Sequence, residues 1–132
     1  MTTVPTDTRT IALVLARGRV VIGLVALLLP GIMARLVLGA NSPYSRALLR
    51  MVGVRDVALG IGAITNIKTA EQDAEWVSMG AIADGGDAIA FLVAPIGFRR
   101  FTNGAFAAAA AGIGLVMSRR LADERAAAQP EE

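Results

Sequence analysis

Four apolar blocks, each about 17 to 23 residues long, constrain this chain more than any other feature, because about 20 such residues in a helix cross a bilayer. The first runs from Thr10 to Leu29, where Pro30-Gly31 interrupts it, and Ile32 to Leu38 continues it as a kinked or interfacial turn before Gly39-Ala40-Asn41-Ser42-Pro43. The second covers Ser45 to Ile67, with Ser42 or Ser45 available as an N-cap side chain. The third, Trp76 to Ile96, follows the acidic linker Lys68 to Glu75, and the fourth spans Phe101 to Met117 after Gly97-Phe98-Arg99-Arg100. This pattern predicts an all-α protein, a four-transmembrane-helix bundle over residues 10–117, between a polar N-terminal segment (1–9) and a charged C-terminal tail (118–132). The tail reads as a helical extension that frays near Pro130.

Composition supports the same class. Of 132 residues, 55% are hydrophobic and 18% charged, with a mean hydropathy of +0.57, against about 45–50% and 25% in ordinary soluble domains. Aromatic residues make up only 5%, so the surplus is aliphatic. The absence of cysteine and histidine removes disulfides, thiol nucleophiles, and the usual zinc, haem and iron–sulfur ligands. No cofactor, metal site or catalytic residue is therefore expected. The net charge of +2, with 12 of 13 basic residues arginine, is too small and scattered for a nucleic-acid partner. Residues Met1 to Thr10 lack the basic start of a signal peptide, so the first apolar block is expected to be retained.

Strict hydropathy is not met everywhere. Only Phe101 to Ser118 gives 18 consecutive residues without a charge. An isolated Asp or Arg at a helix centre costs roughly 2.5–3.5 kcal/mol on insertion, whereas each large aliphatic residue returns about 0.3–0.6 kcal/mol. The second and third blocks are thus marginal alone and need neighbours that neutralise their charges. The alternative is a very apolar soluble or oligomeric bundle. A water-exposed bundle should carry broad stripes of Lys and Glu, yet between Trp76 and Met117 the only charges are Asp84, Asp87, Arg99 and Arg100.

The charges within the blocks define the candidate site: Arg17, Arg19 and Arg55 against Asp56, Asp84 and Asp87, three of each sign. Ionisable groups in membrane helices face the bundle interior or a wet cavity and find partners there. Asp84 and Asp87 lie on one helix face, along a row with Gly80 and Phe91. Structural pairing with Arg55 and with Arg17 or Arg19 is the main reading, and a proton, cation or ligand site is the other. Asp56 lies between Gly53 and Gly60, on a face where a second helix approaches closely. Arg17 and Arg19 are about 200° apart on a helix wheel, so they cannot both point inward; the other snorkels or faces a second protomer.

Small residues at four-residue spacing, Ala58/Gly62, Ala81/Gly85, Gly86/Ala90 and Gly104/Ala108/Gly112, suggest tight helix packing. Gly53, Gly60, Gly80, Gly104 and Gly112 are the candidate contact points. Arg99-Arg100 and Arg119-Arg120 read as interfacial anchors for lipid phosphates, and Tyr44 and Trp76 as helix-end aromatics. The Ala83 to Ala88 stretch, Ala-Asp-Gly-Gly-Asp-Ala, lacks the oxygen ligands and terminal Glu of an EF-hand loop.

Through Gly-Val-Arg-Asp-Val-Ala-Leu-Gly at Gly53 to Gly60, followed by the Ala83 to Ala88 stretch, the chain resembles small four-helix membrane proteins of unknown function common in actinobacteria. The likeness covers about Ile11 to Met117. It implies the architecture and supplies no catalytic residue.

Four spans would put both termini and the Lys68 to Glu75 linker on one side. Basic residues are nearly equal on the two sides, so the positive-inside rule leaves orientation open. The function expected is that of a non-enzymatic multi-pass plasma-membrane protein, a scaffold or accessory subunit. Its partners would be membrane lipids and a homo-oligomer or larger membrane complex. The competing expectation is a proton-linked or small-solute carrier using Asp84/Asp87 with Arg55.

Overall fold

The computed structural model describes residues 6–69 and 72–128. The start of the polar N-terminal segment, two linker residues and the end of the tail, including the expected fraying at Pro130, lie outside the described residues. Among those described there is no strand, and the chain is all-α: α1 (Thr6–Leu28), α2 (Pro30–Met33), a π-helical turn (Ala34–Leu38), α3 (Pro43–Thr69), α4 (Asp73–Val93) and α5 (Arg99–Ala128).

The breaks follow from local chemistry. Pro30 has no N–H to donate, and its fixed φ suits the first position of a helix, so α1 stops and α2 restarts there. The π turn ends at Gly39, whose φ of 72° lies in the left-handed region that glycine occupies without strain. Ser42 and Ser45 cap α3 reciprocally. The Ser42 Oγ accepts from the Ser45 backbone N–H at 3.1 Å, and the Ser45 Oγ accepts from the Ser42 N–H at 2.8 Å, with Pro43 at the first helical position. At its far end α4 stops at Val93, short of the expected Ile96. Ala94 is extended (ψ 139°), as a residue preceding proline prefers.

The four long helices run alternately up and down. α1 packs along α3 and α4 along α5, with a lighter α3–α4 seam and only slight α1–α5 contact. Glycines set the α1–α3 distance: a Cβ at Gly53 would lie 2.6 Å from the Gly23 carbonyl oxygen, and one at Gly60 would lie 2.8 Å from that of Ala16. Gly80 sits against the Arg19 guanidinium and Gly104 against Leu92, while Gly62 makes room for the Trp76 ring. Gly112, expected at a contact, faces open space, as do Gly85 and Gly86; on α5 it is Gly114 that meets a neighbour, Ala81.

The interior is built from small side chains. Among the described residues, nine of the fourteen buried hydrophobics are alanine, whereas Val21, Leu28, Ile61, Ile82, Ile89 and Phe106 lie outside. Two apolar cores result. One, near the chain ends, contains Ala12, Ala63, Ile67, Val77, Met117 and Leu121. The other, near the α2 turn, contains Ala26, Ala34 and Leu49. Leu121 shows that α5 stays packed beyond the fourth apolar block. Three helices, α1, α4 and α5, are long and apolar enough to cross a membrane. α3 has the length, but Arg46, Arg50, Arg55, Asp56 and Lys68 dilute its apolar stretch.

Candidate functional site

Between the two apolar cores, side chains from α1, α3 and α4 form one continuous charge network. Arg19 of α1 donates through Nη1 to Asp56 Oδ1 of α3 at 3.2 Å. Its Nη2 reaches Asp84 Oδ2 and the Gly80 carbonyl oxygen of α4, the latter at 3.1 Å. Gly80 permits this approach, since a side chain there would press on the guanidinium. Arg55 of α3 shares Asp56 Oδ1, at 3.2 Å from Nε and 3.0 Å from Nη2. It also grips Asp87 of α4 at both oxygens, with Nη1 to Oδ1 at 2.9 Å and Nη2 to Oδ2 at 2.6 Å. The sequence of contacts is therefore Asp84, Arg19, Asp56, Arg55, Asp87.

Five of the six residues expected in the network meet here, and Arg17 does not. It is exposed on α1 and makes no ion pair among the described residues. The 200° offset from Arg19 decides this: with Arg19 turned inward, Arg17 must face out. Two arginines thus oppose three aspartates, a formal excess of one acid over bases in the network. Adjacent Arg55 and Asp56 bond each other as well as α4 and α1.

The network is not solid throughout. A cavity of about 470 Å³ adjoins it, lined by Arg19, Asp56, Asp84 and Asp87 and otherwise mostly by apolar side chains of α1, α3, α4 and α5. Among the described residues, no group of three or more carboxylates converges as a metal-ligating set.

A second charged cluster was not expected. Asp73, read from sequence as part of the acidic linker, is the first residue of α4 and only 1% exposed. It bonds Arg125 of α5, lies 3.7 Å from Arg9 of α1, and accepts the Ala74 N–H at 2.9 Å. Arg125 also approaches Glu75 at 3.5 Å. An acid in a first helical turn favours the positive end of the helix dipole, and that signal was available in the sequence; the partner 52 residues away was not. At the opposite end, Asn103 donates to the Val37 carbonyl at 2.7 Å and Arg99 to that of Leu36 at 3.2 Å, fastening the π turn to α5. Arg99 is thus tied to the chain itself, while Arg100 lies over the Phe101 ring.

Comparison with protein-family models, curated proteins and solved structures gives no match to this chain.

Proposed function

We propose that the chain is a multi-pass protein of the plasma membrane whose four long helices all cross the bilayer, acting as a scaffold or accessory subunit rather than a catalyst. The observation that carries this reading is the inverted distribution of size. Alanine and glycine fill the interior and large aliphatic side chains cover the outside, which suits lipid as the surrounding solvent and close backbone packing as the cohesive force. α3 joins the other three because it lies along α1 at Gly53 and Gly60, so the two share one environment. Its mid-helix charges, Arg55 and Asp56, are matched by Arg19 and Asp87, which offsets much of their insertion cost. The resemblance to small four-helix actinobacterial membrane proteins points the same way. Arg17 would then snorkel toward headgroup phosphates or face a second copy. Carbonate extraction is the test: the protein should remain in the pellet and need detergent for release, whereas recovery in the soluble fraction would end the membrane reading.

One observation favours a second reading, a small-solute or proton-linked carrier. Three carboxylates of the network line a cavity instead of being wholly enclosed by arginine. Purified protein in sealed liposomes that dissipates no proton or solute gradient would remove it.

A further inference from the structure

The excess negative charge and the cavity beside it belong to the same feature. Around the cavity α1 contributes Arg19, α3 Asp56 with Arg55 beside it, α4 Asp84 and Asp87, α5 only the neutral Asn103, and α2 and the π turn only the apolar Met33 and Val37. Asp56 Oδ2 and Asp84 Oδ1 accept no hydrogen bond within the described residues. Unlike Asn41 Oδ1 and Arg125 Nε, they are not sealed polar atoms, so both are open to an incoming donor or positive centre. The rest of the lining is apolar, including Leu15, Val52, Leu59, Phe91 and Ala110. At about 470 Å³ the space lies within the range of small-molecule sites. Among its lining residues the most exposed are Val14 and Ile22 of α1 and Phe106 of α5, so its mouth lies between these two neighbours, which are only in slight contact.

We propose that this cavity is a binding site for a single lipophilic organic cation, a protonated amine or quaternary onium group carried on an apolar body. The positive centre lies beside Asp84 and Asp56 and completes the charge balance that outward-facing Arg17 leaves unmet. The apolar body occupies the lining between α1 and α5. A small inorganic ion would leave the apolar volume empty, and the carboxylates do not form a metal-ligating set. An anion would meet the excess negative charge. The proposal requires binding only, so it stands or falls separately from membrane residence, which carbonate extraction reads, and from transport.

The experiment uses the full chain in phosphatidylcholine nanodiscs, with tetraphenylphosphonium as the probe, tetraphenylborate as an anion of the same shape, and empty nanodiscs as the partitioning control. The cation is expected to bind saturably above the empty-disc level and to raise the melting temperature, and the anion to do neither. Asp84→Asn removes one unit charge beside the positive centre and should weaken cation binding about tenfold or more. Ala110→Phe, which fills the cavity and leaves every charge in place, should weaken it as well and decides the matter if the first variant does not fold. Cation binding no greater than to empty discs, equal stabilisation by the anion, or undiminished binding by both variants overturns the proposal. Melting that changes between about pH 5 and pH 9 with no cation binding overturns it in favour of a proton as the third positive charge.

Discussion

Arg55 holds Asp87 in a fork, its two terminal nitrogens 2.9 and 2.6 Å from the two carboxylate oxygens, and this contact ties α3 to α4 at the level where Arg19 ties α1 to α4. A lysine has one ammonium and no fork, so Arg55→Lys keeps the charge and loses the two-point geometry. One of the two contacts with Asp87 can persist, so the loss is about 1 kcal/mol, the worth of one hydrogen bond. Thermal melting in detergent should fall by a few degrees, and an unchanged melting temperature would show that the fork adds no stability.

The charge imbalance predicts an asymmetry between the two kinds of partner. Arg19→Gln leaves Asp56 and Asp84 facing each other with Arg55 as the only base, and breaking a buried pair in this way costs on the order of 3–5 kcal/mol. Asp84→Asn leaves Arg19 bonded to Asp56 and the Gly80 carbonyl and brings the network to two charges of each sign. Arg19→Gln should therefore be much the less stable of the two when their melting in detergent is compared. The reverse order would contradict the contact sequence.

Two glycines on different helices separate a packed contact from the outer surface of the bundle. Gly60→Leu would drive a side chain into Val20 and the Ala16 carbonyl, with an overpacking cost of about 1–3 kcal/mol or more. Gly112→Leu meets nothing within 4 Å and should leave melting within about 0.5 kcal/mol of wild type. Equal effects of the two substitutions would place the α1–α3 seam elsewhere.

Asp73 and Glu75 occupy the same first turn of α4 and differ in burial, 2% against 55% side-chain exposure. Asp73→Asn should cost on the order of 3 kcal/mol by leaving Arg125 and Arg9 without their buried partner, and Glu75→Gln less than about 1 kcal/mol. Limited proteolysis of the tail provides the readout: α5 beyond Leu121 should become cleavable in the first variant only.

What the sequence conveyed depended on whether the deciding partner was local. Pro30 and the Ser42/Ser45 pair act within a few residues, so the first interruption and the start of α3 were legible, whereas the third block was carried through Pro95 to Ile96 and α4 stops at Val93. The wheel angle between Arg17 and Arg19 required one of them to face outward, but only the positions of Asp56 and Asp84 selected which. Four-residue spacing placed Gly112 with Gly104 on one stripe without revealing that helix crossing buries Gly104 and passes Gly112 by. Gly23, which meets Gly53 across the α1–α3 seam, has Arg19 and Leu27 at four-residue spacing on its own helix, so no small-residue stripe signals its role. Burial of Asp73 depends on Arg125 and the cavity depends on the separation of α1 and α5, relationships between distant segments that no local pattern encodes.

In the proposed arrangement α3 crosses the membrane with α1, α4 and α5, its mid-helix charges matched within the bundle. Because the chain has no cysteine, single replacements report sidedness directly. In sealed vesicles, Ala40→Cys, just before α3, and Lys68→Cys, in its last turn, should react with a membrane-impermeant maleimide from opposite sides. Phe98→Cys should label with Ala40→Cys, and Ala126→Cys with Lys68→Cys. Labelling of Ala40→Cys and Lys68→Cys from the same side would mean that α3 does not cross, and would contradict the account.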